Sequence, residues 1–346
     1  MALTRLGIPQ DFVDMVAAIL RDRRFYVRDW GHESAWKQQT FGIVQGCPLS
    51  PFLFIIVMTV LLHDARGRLE RTSYMAPEKI PSELVYADDT LTLGVDEANA
   101  QLHMEAIAAA GKQYGLEYNW AKLEVLPINT SGMIETPGGD TVTIKESITY
   151  LGSALSNDGR ICTEVSRRLG AAKCTFGCLQ RVWNNSTLGT QRKIQVLTAC
   201  VYTKLLYGLT VVCLTKADKK RIDGFQARCL RRILRIPPVY YSRISNTTVL
   251  ERARQKPLSQ SLVNYQLLYF GQLARRPDSD PVRSCIFEHG SAKLKPLSGT
   301  RRVGRPRFHW GREMMKESLS RIGDEAKLQH LLSRSSEREW CTFVKT

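Results

Sequence analysis

Long hydrophobic runs are missing from this chain of 346 residues. The longest, residues 52–62, stops at His63 and Asp64, well short of the ~20 residues that a membrane-spanning helix needs. A longer stretch over 196–214 carries Lys204 in its middle. The opening MALTRLGIPQDFV lacks the basic-then-apolar layout of a secretory leader, so the expected location is inside the cell. Nine cysteines, an odd number, form no evenly spaced framework, as expected of free thiols in a reducing compartment. There is no internal repeat, and 43% hydrophobic with 24% charged residues excludes a mostly disordered, collagenous or coiled-coil chain. The length suits about two domains.

Acidic residues are scarce in the back of the chain. Residues 151–346 hold 36 Lys plus Arg against 14 Asp plus Glu, whereas residues 1–150 hold 13 against 19. An acidic front and a strongly basic back suit a protein that gathers metal ions at one place and holds a polyanion with another. Two unrelated surface compositions would give the same split.

The pattern predicts a short helix over 11–20 after the Gly7-Ile8-Pro9 turn, then an extended segment over 24–41. In Gly42-Ile43-Val44-Gln45-Gly46-Cys47-Pro48-Leu49-Ser50-Pro51, Ser50 is placed to cap a helix and Pro51 suits its first position, so the helix is expected over 51–66. Residues 83–86 and 90–94 read as two strands with Ala87-Asp88-Asp89 at the bend. A helix over 97–114 ends at Gly115-Leu116, residues 118–127 bring the chain back, and strand-like segments at 141–144 and 148–151 flank a further turn.

Beyond about residue 160 the pattern is helical and basic. Over 218–236, Ile222, Phe225, Cys229, Leu230, Ile233 and Leu234 share one face, and Lys220, Arg221, Arg228, Arg231, Arg232 and Arg235 point away from it. Such a helix packs on one side and offers guanidinium groups to phosphates on the other; a merely solvated basic face looks the same. KLKPLSGTRRVGRPR over 293–307 reads as a flexible link. It could touch nucleic acid, and Arg301 to Arg307 could serve as a nuclear-import signal, or it could be a bare linker.

Tyr86-Ala87-Asp88-Asp89 is the sharpest chemical feature. Two adjacent carboxylates repel each other unless a cation intervenes, and magnesium takes hard oxygen ligands of this kind together with substrate phosphates. Alone, such a bend is commonly a solvated turn. Its company decides otherwise: Gln45 to Pro51 lies upstream, and Gly115-Leu116-Glu117-Tyr118-Asn119-Trp120-Ala121-Lys122 and then Tyr150-Leu151-Gly152 lie downstream.

The order and spacing of these four segments resemble the palm of a reverse transcriptase. They are similar to those of the non-LTR (LINE-type) retrotransposon polymerases, whose successive motifs look like QGCPLSP, YADD, GL-x-x-N-x-x-K and YLG. Weaker likeness extends to Leu6-Gly7-Ile8-Pro9, to Leu206-Tyr207-Gly208, to Cys229-Leu230-Arg231-Arg232-Ile233-Leu234, and to Gly304-Arg305-Pro306-Arg307 with Trp310.

The resemblance implies an α+β fold, a partial polymerase palm of antiparallel sheet with helices over 1–157. An all-α thumb and connection over 158–292 and a basic linker with a helical C-terminal tail over 293–346 are expected to follow. It also implies roles. Asp88 is a ligand of the catalytic metals, with Asp89 assisting more weakly, and Tyr86 and Ala87 form the floor under the primer end. Gln45 and Gly46 lie beside the template base and incoming nucleotide, where a side chain on residue 46 would obstruct close approach, and Pro48 and Ser50 shape that loop. Lys122 neighbours the nucleotide phosphates, to neutralise charge or give a proton to leaving pyrophosphate, unless it is an ordinary surface lysine. Tyr150, Leu151 and Gly152 grip the primer backbone. Arg167, Arg168 and Lys173 open the thumb, which with Arg228, Arg231, Arg232 and Arg235 holds a template-primer duplex by salt-sensitive phosphate contacts.

The implied reaction is RNA-directed DNA synthesis, attack of a primer 3'-hydroxyl on the α-phosphate of a dNTP, with Mg2+ as cofactor and Mn2+ able to replace it. The implied partners are an RNA template, a DNA primer or target DNA, and dNTPs, with no membrane. Location in the nucleus is slightly preferred over the cytoplasm. No zinc is expected, because Cys285 with His289 and Cys174 with Cys178 each lack a second pair of ligands at plausible spacing.

One feature of the family is not matched. A further metal-binding aspartate is expected on a strand before the glutamine-glycine motif. Asp11, Asp14, Asp22 and Asp29 precede Gln45 here without the matching context. The expectation is therefore a fragment of palm and thumb whose first catalytic strand and fingers would have to come from another chain, impaired on its own. The alternative is a non-catalytic nucleic-acid-binding remnant.

Overall fold

Two apolar helices form the centre of the first of two units, Met1–Leu151 and Gly152–Thr346. The computed structural model describes residues 1–40, 42–44, 46–77, 80–130, 132–159, 162–296 and 309–345. In chain order the first unit holds α1 (Ala2–Arg5), α2 (Gln10–Leu20), β1 (Arg24–Phe25), β2 (Arg28–Asp29), β3 (His32–Glu33), β4 (Lys37–Gln38), α3 (Ser50–Leu69), β5 (Glu83–Tyr86), β6 (Asp89–Thr92), α4 (Glu97–Gly111), β7 (Glu124–Val125), β8 (Thr143–Ile144) and β9 (Ser147–Tyr150). Leu61, Leu62, Ala65 and Leu69 of α3 bury themselves against Ala106, Ile107 and Ala110 of α4, three or four residues apart as one helix face requires. Arg5 adds a polar tie, pairing with Asp64 of α3, which also accepts from the Tyr114 hydroxyl at 2.7 Å.

The start of α3 corrects the capping expectation. Ser50 lies inside the first turn, Leu49 is the N-cap, and no side chain of that residue caps it. The Ser50 N–H instead donates to the Cys47 carbonyl at 3.2 Å, and the nearby N–H groups of Leu49 and Ser50, with the Ser50 hydroxyl, hold the Cys47 thiol pKa below its ordinary value. A helix N-terminus leaves its first N–H groups without partners inside the helix, and their positive ends favour a thiolate nearby.

The expected antiparallel sheet also needs correction. β1 pairs with β4, β2 with β3, and β5 with β6, all antiparallel, whereas β7 pairs with β8 in parallel. Strands of two to four residues carry too few ladder bonds to build a wide sheet, so the helices carry the core. The extended segment after α2 is a hairpin: Phe25 faces Lys37 and Arg28 faces Glu33, so one strand has an extra residue between those pairs, a bulge.

The second unit opens with β10 (Ser153–Ser156) and is helical thereafter: α5 (Cys162–Cys178), α6 (Gln180–Asn184), α7 (Thr190–Val196), α8 (Thr203–Leu206), α9 (Lys216–Leu234), α10 (Val239–Ser242), α11 (Asn246–Ala253), α12 (Leu258–Arg275), α13 (Pro281–Ser284), α14 (Trp310–Ile322), α15 (Glu325–Leu331) and α16 (Glu337–Lys345). Thr215 and Asp218 form a capping box that starts α9, and Arg235 in the left-handed region ends it. Its apolar stripe, Ile222, Phe225, Cys229, Leu230 and Ile233, joins one core with Val165, Leu169, Leu197, Leu205 and Leu262.

The C-terminal helices are not a loose tail. Trp340 of α16 is fully buried with its indole N–H donating to the Leu267 carbonyl at 3.0 Å. A Cβ at Gly271 would come within 2.2 Å of the Trp340 ring nitrogen, so only glycine lets α12 and α16 approach this closely. The part of the basic link over 297–308, with Arg301 to Arg307, lies outside the described residues. Among the described residues no helix is long and apolar enough to cross a membrane.

Candidate active site and nucleic-acid interface

The two carboxylates stand at the end of the β5–β6 hairpin. Tyr86 pairs with Asp89, which leaves Ala87 and Asp88 as a two-residue tip, and Ala87 takes the positive φ of 53° that so tight a reversal requires. The bend is thus one residue shorter than expected, and Asp89 begins a strand. Tyr86, Ala87, Asp88 and Asp89 are all exposed. Among the described residues no lysine or arginine pairs with either carboxylate.

The base of the hairpin is anchored, and these anchors were not anticipated. Glu83 is paired with Arg66 of α3 and lies 3.2 Å from His103 Nε2 of α4. Its side chain and that of His103 are buried. His103 falls on the buried face that Ala106, Ile107 and Ala110 define, so a histidine inside that stripe was the signal that could have revealed it. Burial alone would raise the Glu83 carboxyl, but the bonds and charges of His103 and Arg66 outweigh it and leave the pKa lowered. A depressed carboxyl stabilises the fold above its unfolded value of about 4.3 and loses that contribution as pH falls through the folded value. Glu83→Gln is therefore expected to cost roughly 2 kcal/mol at pH 7, with the difference from the parent shrinking below pH about 4 in thermal melts.

One other motif meets the hairpin and a second senses its charge. The Tyr150 hydroxyl donates to the Leu84 carbonyl at 2.9 Å, across 66 positions of chain. Burial first, then the nearby Asp89 charge, raises the Tyr150 pKa. Tyr118, in the Gly115 to Lys122 segment, is partly buried, which raises its pKa, with the Glu83 charge adding to the effect, and its ring stands 5.2 Å from that of Trp120. Lys122 ends a short 3-10 turn over Trp120–Lys122 and is exposed. The glutamine-glycine loop is placed less fully. Gln45 lies outside the described residues, Gly46 and Pro48 are exposed, and Ser50 is buried in α3. Gly46 has φ +89° with open space around a notional Cβ, so here the backbone conformation, rather than crowding within the protein, is what demands glycine. Among the described residues no hydrogen bond or ion pair joins residues 46–50 to the hairpin.

In the second unit the expected phosphate-binding arginines divide into two kinds. Leu151 ends the first unit with φ 47° and Gly152 opens the second with φ 72°. The Gly152 carbonyl accepts from both Arg167 and Arg168, which also pair with Glu164 at 2.8 and 2.6 Å. Arg168 is buried, with its guanidinium 4.5 Å from the Tyr207 ring centroid. Arg231 is likewise buried, donating to the carbonyls of Pro237 at 3.0 Å and Ile244 at 2.6 Å and to Asn246 Oδ1 at 3.0 Å. These two correct the expectation: the chain folds back over them and engages their guanidinium groups internally. Lys173, Arg228, Arg232 and Arg235 remain exposed. Lys173 and Arg228 line one cleft with Lys220 and Arg221, between α5 and α9, whose floor includes Gly170 and Gly224. Arg228 continues into a second cleft with Arg232 and Arg235.

The donor set at the hairpin tip suits a divalent cation in kind, since both groups are hard carboxylate oxygens on a solvent-facing turn. Among the described residues no group of three or more His, Cys, Asp or Glu side chains is placed to hold a metal.

Residues 2–155 match the family described as Reverse transcriptase (RNA-dependent DNA polymerase). Two relatives share the description Retrovirus-related Pol polyprotein from type-1 retrotransposable element R2. The one from Popillia japonica is 26% identical over 351 residues, covering 96% of this chain and 47% of the relative. The one from Nasonia vitripennis is 28% identical over 245 residues, covering 68% of this chain and 23% of the relative. The chain thus spans about half the length of the first and about a quarter of the second.

Proposed function

We propose that this chain, whose residues 2–155 are a reverse transcriptase domain of the non-LTR retrotransposon type, carries the nucleotidyl-transfer centre of an RNA-directed DNA polymerase at the tip of the β5–β6 hairpin. The observation that supports this reading is the meeting of two motifs, Asp88 and Asp89 at a tip whose strand accepts from the Tyr150 hydroxyl, with the Glu83 charge at the hairpin base felt by Tyr118 of a third. In this reading the first unit is palm, and the second is thumb and connection.

Asp88 and Asp89 would hold the divalent cation, Mg2+ by preference. When bound, such an ion would lower the pKa of the attacking hydroxyl and neutralise charge on the leaving oxygen. Tyr86 and Ala87 support the primer terminus. Lys122, exposed and without an ion-pair partner among the described residues, gives its proton or its charge to the pyrophosphate. Lys173, Arg228, Arg232 and Arg235 hold template-primer phosphates. One observation favours the second reading, a non-catalytic nucleic-acid-binding remnant: the two carboxylates have no third ligand beside them among the described residues.

Extension of a labelled DNA primer on an RNA template, with Mg2+ and each dNTP in turn, separates the two. The enzyme reading expects incorporation that follows the template base. Salt-sensitive duplex binding without incorporation gives the remnant reading, and absence of both overturns the assignment.

A further inference from the structure

The segment that follows α9 is unusual for its charge and for what it exposes. Residues 224–250 contain five arginines and no aspartate or glutamate. Arg228, Arg232 and Arg235, together with Pro237, Pro238 and Val239, line an open cleft of about 1040 Å³. α10, whose first residue Val239 lines this cleft, next presents Tyr240 and Tyr241, each 75% exposed, with ring centroids 5.2 Å apart and planes at 88°.

This placement is built. Buried Arg231 holds the carbonyls of Pro237 and Ile244, the two ends of the tyrosine-bearing turn. Pro238 sets the N-cap of α10, and Arg243, in the left-handed region at φ 53°, ends it with its guanidinium 5.8 Å from the Tyr240 ring centroid. Two large aromatic rings left in water beside acid-free guanidinium groups match a ligand that carries both flat apolar faces and regularly spaced negative charge.

We propose that the Arg228 to Arg235 cleft and the Tyr240–Tyr241 pair form a site for single-stranded nucleic acid, in which the exposed arginines take phosphates and the tyrosines stack on unpaired bases. A duplex offers its phosphates but keeps its bases stacked on each other, so the rings select an unpaired strand. The site rests on the reading of the second unit as nucleic-acid-binding and adds to it a preference that phosphate contacts alone do not give.

The test is fluorescence anisotropy with the full chain, using a labelled oligothymidylate, an abasic strand of equal length and a duplex. The parent is expected to bind oligothymidylate more tightly than the abasic strand. The Tyr240→Ala/Tyr241→Ala double variant is expected to lose about tenfold or more for oligothymidylate, with affinity for the abasic strand and the duplex unchanged. The Tyr240→Phe/Tyr241→Phe variant is expected to retain binding, because stacking needs the ring and not the hydroxyl. Both tyrosines are exposed, so thermal melts should match the parent. Equal binding of oligothymidylate by parent and double Ala variant, with duplex binding intact, overturns the stacking site alone and leaves the tyrosines as a contact for another protein. No binding of any nucleic acid by the parent overturns the stacking site and the nucleic-acid reading together.

Discussion

Replacing Asp88 by Ala is expected to lower templated incorporation by on the order of 10³-fold, while affinity for a template-primer duplex stays within about twofold of the parent. The size follows from the several kcal/mol that a correctly held cation contributes to transition-state charge stabilisation, at tenfold per 1.36 kcal/mol. The selectivity follows from position. Asp88 lies at an exposed two-residue tip with no ion-pair partner among the described residues, so its loss leaves no buried charge uncompensated and the fold intact. Asp89 is held in the ladder opposite Tyr86, and Asp89→Ala is expected to give a smaller loss. Quench-flow incorporation of one nucleotide, with duplex affinity measured in parallel, checks both. Equal loss of duplex binding and chemistry in the Asp88 variant would mean that the tip serves structure rather than reaction.

Arg231→Ala and Arg232→Ala are neighbouring changes with opposite expected results. Arg231 is buried and satisfies two carbonyls and an amide oxygen. Its removal leaves those acceptors unpaired and should cost about 3 kcal/mol, roughly 6–12 °C in Tm for a unit of this size. Arg232 is exposed and, among the described residues, donates to Asn184 Oδ1 at 3.2 Å and Gln180 Oε1 at 3.4 Å. Its loss should leave stability within about 0.5 kcal/mol. Duplex affinity should fall, with the slope of log K against log salt reduced by about one. Differential scanning calorimetry and a salt titration of duplex binding distinguish them. A stable Arg231 variant with a reduced salt slope would show that its guanidinium faces the ligand after all.

Motif order and local spacing made the hairpin, the helix after it and the α9 stripe legible in the sequence, because each depends on residues within a few positions of one another. What escaped depends on distant partners. A helical wheel places Arg231 and Arg232 relative to their own axis, but not relative to a turn six to fifteen residues later that covers one and leaves the other free. Glu83, Arg66 and His103 come from three separate elements, so their junction has no local signature beyond a histidine in an apolar stripe. Ser50 does not cap α3 because the helix begins one residue early, at Leu49 as N-cap, and the Ser50 N–H is already taken by the Cys47 carbonyl, which local pattern does not decide. Pairing of β7 with β8 in parallel required the intervening turn to carry the chain back, a long-range matter that strands of two residues do not announce. The close passage of α16 over Gly271 was hidden for the same reason.

The most direct test of the carboxylate tip is iron-directed backbone cleavage. Fe2+ replaces Mg2+ in the full chain bound to primer, template and dNTP, and ascorbate with peroxide generates hydroxyl radicals that cut the backbone next to the ion. The account expects cuts flanking Ala87 and Asp88 that are suppressed by excess Mg2+ and lost in Asp88→Ala. Cleavage that is absent from residues 83–92, or that persists there unchanged in the Asp88 variant, would contradict it.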